Sequence, residues 1–280
     1  MNMITRIAPS PSGYLHAGNI FSFLLTRAIA DKFGGQVILR IDDLDGERSR
    51  RQFLDDIFES LGAFEIRYDA GPANTKDFLE NYSQRLRVGT YGELIEKLET
   101  TSLVYACQCS RKQLAVLQQL GKKRCCCRAK KLALNHEGTC LKIFVPESET
   151  VHFNDELHGS TTIPLFENMG DFIIRRRDGI PSYQLASLSD DIHFGINYIV
   201  RGEDLLASTA AQLYLAKLLG LKQFSESRFL HHSLLNDAGG KKLSKSAGSL
   251  RAKAMMQHSE IGQQITANMK NDIDRLLQNL

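Results

Sequence analysis

The sequence predicts an α/β protein whose two halves are separated by a basic, cysteine-bearing insertion. Three observations carry that expectation. The chain opens with strand, loop, helix and strand in succession, a second strand-to-helix passage follows far downstream, and the charge changes sign sharply between them. Of 280 residues, 42% are apolar and 24% charged, enough for a sizeable core in one large domain or two modest ones.

The apolar run ITRIA predicts the first strand, and PSPSG after it a turn. Over residues 20–33, Phe21, Leu24, Leu25 and Ala28 recur at helical spacing, and Gly34 with Gly35 stops the helix. QVILRI is a buried strand, and an acidic helix is expected from about 46 to 61. Strand, helix, strand in this order is the βαβ unit of a parallel sheet. A helix over 76–99 leads into the cysteines. Beyond them DFIIRR reads as a strand, PSYQLASLSDD as mixed, INYIVRG as a strand, and STAAQLYLAKLLG as a helix closed by Gly220. In the tail, Ile261, Ile265, Met269, Ile273, Leu276 and Leu277 share one helical face. The expected organisation is a first core half over 1–90, an insertion over 91–160, a second core half over 161–238, and a loop with helical tail over 239–280.

Charge marks the same segments. Residues 42–80 hold eleven acids and five bases, whereas residues 111–142 hold nine bases and one acid. The overall charge of +3 permits a nucleic-acid partner without demanding one. No run of eighteen apolar residues occurs, which excludes a helical membrane span, and the N-terminus shows no apolar signal region. All six cysteines lie between Cys107 and Cys140, too few for a disulfide scaffold. A reducing, cytoplasmic setting with one metal or structural site is the expectation.

Two loops carry the chemistry. PSPSGYLHAGN follows the first strand; Gly13 and Gly18 let backbone approach a ligand, and a helix N-terminus there suits phosphate. Near the other end, GGKKLSKSAGS places Lys242 and Lys245 three residues apart among glycines. HAGN paired with a distant KLSKS resembles the signature of class I aminoacyl-tRNA synthetases. RIAPSPSGYLHAGN, ILRIDDLD, PSYQLA, YIVRGEDLLAST and KLSKS resemble, in order and spacing, the catalytic domain of the glutamyl-type members.

That resemblance implies a Rossmann-type doubly wound parallel sheet with a cysteine-rich insertion and a short helical C-terminal tail. It also implies ATP-dependent activation, in which an amino-acid carboxylate attacks the α-phosphate of ATP and pyrophosphate leaves, with Mg2+ accompanying the nucleotide. No covalent enzyme intermediate forms, so catalysis is positioning and charge stabilisation. By the same resemblance His16, Gly18, Asn19 and Lys245 meet ATP, and His16, Asn19, Lys242 and Lys245 are the catalytic set. Arg6, Ala8, Ser10, Asp42, Tyr183 and Arg201 match the amino-acid pocket, Arg6 pairing with a side-chain carboxylate. One departure stands out: glutamyl members read RIEDTD, whereas this chain reads RIDDLD, so Asp42 replaces the glutamate that holds the α-amino group. Glutaminyl members resemble the DD form, but APSPSG and RGEDLL resemble the glutamyl side.

Family members also carry a zinc site in this insertion. Cys107, Cys109 and Cys127 match it, while Lys123 stands where the family has tyrosine. Cys125 is the expected fourth ligand, with Cys126, His136 and Cys140 as alternatives. The chain runs about thirty-four residues past Ser246, short of the helical domains that read an anticodon in full-length members. It thus resembles the stand-alone branch that activates L-glutamate and transfers it to queuosine in the anticodon of tRNA(Asp). The partners implied are ATP, L-glutamate and the tRNA(Asp) anticodon stem-loop, met by a monomer through the basic insertion. The alternatives are a truncated or split glutamyl- or glutaminyl-tRNA synthetase charging an acceptor end, and a non-catalytic tRNA-binding paralogue.

Overall fold

The computed structural model describes residues 2–46, 48–122, 124–234, 260–278 and 280. The opening apolar run forms β1 (Ile4–Ile7), and QVIL forms β2 (Gln36–Leu39). They pair in parallel, Ile4 opposite Gln36, because α1 (Ala17–Phe33) carries the chain back between them. Gly34 ends α1 in the left-handed region at φ 64°, where a Cβ would be strained. The outer edge of β2 makes a parallel bridge from Ile38 to Ala70.

On the other edge of β1 lies β8 (Tyr198–Gly202), where the Asn197 N–H donates to Ile4 O at 3.0 Å. β9 (Arg228–His232) pairs in parallel with β8. The parallel pairs β2-β1 and β8-β9 thus lie side by side, in the order Ala70, β2, β1, β8, β9, the doubly wound arrangement, with the direction of growth reversing between β1 and β8. A hairpin of β5 (Thr150–Asp155) and β6 (Gly159–Pro164) attaches to β9 where Asp155 meets Phe229. A separate antiparallel sheet contains β3 (Val104–Cys107), β4 (Cys140–Ile143) and β7 (Phe172–Arg175), in the order β3-β4-β7.

The helices are α2 (Arg51–Ala63), α3 (Thr75–Asp77), α4 (Val88–Glu99), α5 (Arg111–Gln119), α6 (Leu165–Met169), α7 (Tyr183–His193), α8 (Leu206–Leu219), α9 (Lys222–Ser225) and α10 (Glu260–Gln278). Three differ from expectation. α2 begins at Arg51, five residues later than expected from about 46, because the acidic stretch before it is a loop. The expected helix over 76–99 is broken at Ser83, whose ψ is 137°. Asp43 causes the break: its carboxylate accepts from Ser83 Oγ at 2.6 Å and from the Gln84 N–H at 2.9 Å. A continuous helix would have given that N–H to a carbonyl four residues earlier. The mixed segment PSYQLASLSDD is α7 from Tyr183 onward, burying Leu185, Leu188 and Asp191 at three-residue intervals.

Alternation along the strands sorts the core into two layers. Tyr198, Val200 and Leu230 pack against Phe21, Leu25 and Ile29 of α1 and against Met269 and Ile273 of α10. On the opposite face Ile4, Ile38, Ile199 and Phe229 pack with Leu185 and Leu188 of α7 and with Ala210 and Ala211 of α8. Arg6, Arg40, Arg201 and His231 each follow one of those four by two positions. The two-residue strand period therefore sets all four in a row on the α7/α8 face, at the C-terminal ends of adjacent strands. No helix among the described residues is long and apolar enough to cross a membrane.

Candidate active site and cysteine cluster

The arginine row converges on one carboxylate. Asp191, fully buried on α7, accepts from Arg6 Nε at 2.9 Å and from Arg40 Nη1 at 2.7 Å, with Arg201 Nη2 at 3.4 Å. Burial pushes this carboxyl up, but Arg6, Arg40 and Arg201 together hold it below the ordinary carboxylate value. Its neighbour Asp190 points the other way, accepting from Arg87 at 2.8 and 3.1 Å, Tyr91 Oη at 2.8 Å and Gln84 Nε2 at 2.8 Å. Arg40 is the best compensated of the row, since Asp42 also grips it bidentately at 2.7 and 3.0 Å. Arg201 is the least. Burial lowers its pKa, and the neighbouring guanidiniums of Arg6 and Arg40 add to that. Its Nε is buried without a hydrogen-bond partner among the described residues.

A cavity of about 340 Å³ opens at this spot, between the ends of β1 and β8 and the start of α1. It lies at the point where the sheet order reverses, the usual place for a ligand in an open α/β sheet. Arg6, Ala8, Tyr183 and Arg201 line it, and so do His16, Gly18 and Asn19. Ser10 and Asp42 do not. Ser10 Oγ lies 3.4 Å from Ser12 Oγ, and the Asp42 carboxylate is turned to Arg40. Burial, opposed by Arg40, leaves Asp42 with a pKa above the ordinary value. Lys242 and Lys245 lie outside the described residues.

The first loop is held from beneath. Buried Asp56 of α2 accepts the Leu15 N–H at 3.0 Å, and the Asp42 N–H donates to Pro9 O at 2.9 Å. His16 then caps α1 in extended conformation, with its own N–H donating to Asn19 Oδ1 at 3.2 Å. In the first turn the N–H groups of Asn19 and Ile20 donate to His16 O at 2.9 and 3.2 Å, whereas that of Gly18 has no carbonyl to meet within the helix, and the cavity lies against that turn. A larger hollow of about 740 Å³ lies between α8 and the strands β5 and β9, and none of the expected site residues lines it.

In the insertion, Cys107, Cys109, Cys125 and Cys127 come together with all four sulfurs within 4.8 Å of one another. Cys107 Sγ is 3.7 Å from Cys125 Sγ, and Cys109 Sγ is 3.4 Å from Cys127 Sγ. Four thiolates around one zinc at about 2.3 Å would stand about 3.8 Å apart. The donor set therefore fits a tetrahedral metal. The alternatives are placed elsewhere. Cys126 is exposed, and exposed His136 turns Nδ1 to Glu137 O. Cys140 sits across the ladder from Cys107 and donates to its carbonyl at 3.5 Å. Two of the insertion's basic residues are structural. Lys142 is buried on Asp171 O, and Arg124 lies between the Phe144 and Phe166 rings while pairing with Asp171.

The family model "tRNA synthetases class I (E and Q), catalytic domain" matches residues 2–270. The chain belongs to this family. A Pseudomonas fluorescens protein named "Glutamyl-Q tRNA(Asp) synthetase" is 39% identical over 243 residues, which is 87% of this chain and 76% of that protein. One of the same name from Pseudomonas aeruginosa PAO1 is 37% identical over 87% of this chain and 77% of its own length. The crystal structure of glutamate-tRNA synthetase from Elizabethkingia anophelis aligns with a TM-score of 0.70 at 25% identity, covering 88% of this chain. The chain spans about half, 53%, of that synthetase. The class I synthetase core thus accounts for the doubly wound sheet and for a site at its reversal point.

Sequence inspection missed Arg40, Asp191, Thr209, Gln212 and His231 as site-building groups. A signal existed for three of them. Arg40 shares inward parity with Ile38, His231 shares it with Phe229, and Asp191 continues the Leu185–Leu188 stripe of α7. Thr209 carried no local signal, since its hydroxyl matters only through what packs against it.

Proposed function

We propose that this chain activates L-glutamate with ATP and transfers it to queuosine in the anticodon of tRNA(Asp). One observation carries the reading: undercompensated, buried Arg201 and the N-terminus of α1 at Gly18 face the same cavity. One end suits a carboxylate and the other a phosphate. Relatives named "Glutamyl-Q tRNA(Asp) synthetase" support the same assignment of substrate and acceptor.

In this reading Arg6, Tyr183 and Arg201 hold the glutamate, with Ala8 forming wall between them. Asp42 and Asp191 fix the arginine row from behind, and Ser10 belongs to the stiff loop that shapes the entrance. His16, Gly18 and Asn19 orient the ATP phosphates, with Mg2+ as the nucleotide's companion. Lys242 and Lys245 supply positive charge as pyrophosphate departs. Zinc on Cys107, Cys109, Cys125 and Cys127 braces the insertion, whose remaining exposed bases meet the anticodon stem-loop. The chain acts as a monomer.

The test has two stages. Pyrophosphate exchange without tRNA should proceed with glutamate and not with glutamine or aspartate. Charging should then occur on queuosine-containing tRNA(Asp) and not on the queuosine-free form. Robust charging of unmodified tRNA(Glu), with none of modified tRNA(Asp), overturns the proposal.

Lys245→Ala tests the lysine loop separately. Its charge matters most when pyrophosphate leaves, so adenylate formation should slow by well over tenfold, roughly 2–4 kcal/mol in the barrier. The KM for ATP should stay close to wild type. An unchanged rate with weakened ATP binding would contradict this role.

A further inference from the structure

Behind the cavity, one layer deeper than Arg201, buried groups form an unbroken chain. Arg201 Nη1 is 3.0 Å from Thr209 Oγ1, which is 2.9 Å from His231 Nε2. His231 Nδ1 is 2.6 Å from Asp155 Oδ2. None of the four residues is more than 4% exposed.

The two ends of the chain have fixed directions: a guanidinium only donates, so the Thr209 oxygen accepts from Arg201, and the Asp155 carboxylate only accepts, so His231 Nδ1 carries a proton. In the neutral imidazole that leaves Nε2 to accept the Thr209 proton. Asp155 is itself immobilised: it accepts the backbone N–H groups of Leu157, His158 and His231, each at 3.0 Å. Burial lowers the His231 pKa, against the pull of Asp155, which favours that neutral form. Gln212 Oε1 accepts from the same Arg201 Nη1 at 2.6 Å. The guanidinium thus has its plane set from behind, while its Nε remains without a partner among the described residues.

We propose that Asp155, His231 and Thr209 are positioning residues, a buried relay that fixes the Arg201 guanidinium and so sets preference for a carboxylate over a carboxamide in the amino-acid substrate. The inference rests on the placement of Arg201 in the glutamate pocket. Donors locked in one orientation suit two acceptor oxygens, whereas the amino group of an amide would meet them donor to donor. A loosened guanidinium can turn aside, and discrimination falls.

The experiment is pyrophosphate exchange with glutamate and glutamine on Thr209→Val, Thr209→Ser and Arg201→Ala. Thr209→Val keeps the shape and removes the hydroxyl. It should raise the glutamate KM about tenfold and narrow the glutamate-over-glutamine ratio of kcat/KM, with the KM for ATP within about twofold. Thr209→Ser should restore most of both. A Thr209→Val enzyme with wild-type glutamate KM and selectivity, beside an Arg201→Ala enzyme with raised KM, overturns the relay and leaves the pocket standing. Arg201→Ala with an unchanged glutamate KM overturns the pocket and the relay together. Equal rises in the KM for ATP and glutamate under Thr209→Val also overturn it, as general disorder. Nitrogen NMR of the histidine rings in the wild-type protein gives a check free of folding effects. It should show His231 neutral and protonated on Nδ1; a ring without a proton on Nδ1 breaks the chain.

Discussion

Asp191→Asn is expected to lower the unfolding free energy by about 3–5 kcal/mol, the range for breaking a buried ion pair by removing one partner. The substitution keeps the side chain's shape and removes its charge, so packing is not what changes. Arg6, Arg40 and Arg201 would lose the charge they share; an amide oxygen can still accept from Arg6 and Arg40, but the amide nitrogen then meets Arg201 Nη2 donor to donor. Denaturant unfolding measures the loss. A pH series adds a signature. Because the folded carboxyl is held below its unfolded value near 4, its contribution is complete above that value and fades as pH falls through the folded one. Wild-type stability should therefore drop on acidification below about pH 4, and Asp191→Asn should flatten that part of the curve. An unchanged denaturation midpoint would show that the arginine row does not depend on Asp191.

The opening βαβ unit was legible because its strands are short apolar runs separated by a clear helix, and Gly34 stops that helix where expected; the doubly wound order was implied only by the family resemblance. The pocket was legible residue by residue only where a motif named the position: Arg6, Ala8, Tyr183 and Arg201 line one cavity with His16, Gly18 and Asn19. Asp42 was read from its motif as a ligand contact, yet its carboxylate faces Arg40, two residues away on the same strand end. Local sequence cannot say which of two nearby charges a carboxylate will choose. The break at Ser83 was illegible for a related reason, since Asp43, forty residues distant, redirects a single N–H. Thr209 and His231 are the extreme case: a hydroxyl and an imidazole twenty-two residues apart become one device only after β8, α8 and β9 pack. The cysteines are the reverse. Two Cys-x-Cys pairs, Cys107 with Cys109 and Cys125 with Cys127, each turn alternate side chains to one side and leave Cys126 exposed.

That arrangement leads to the second large effect. Purified protein is expected to hold about one zinc per chain, and Cys107→Ser with Cys109→Ser together should remove it. Sulfur separations of 3.7 and 3.4 Å lie close to the tetrahedral edge of about 3.8 Å, so little rearrangement separates the folded thiols from a bound site. The four sulfurs come from the end of β3 and from the turn that begins at Cys125, joining chain segments eighteen residues apart. Structural zinc sites are worth about 10–16 kcal/mol in apparent binding, and much of that is folding free energy. Loss of the metal should therefore loosen the insertion while the parallel sheet stays folded. Metal analysis and amide exchange read the two effects separately: zinc should fall from one to none, and protection should fall at Tyr105 and Leu141 but not at Ile7 or Val37. Cys126→Ser, which alters an exposed thiol outside the quartet, should keep its zinc. Equal metal content in wild type and the double variant, or none in either, would refute the site.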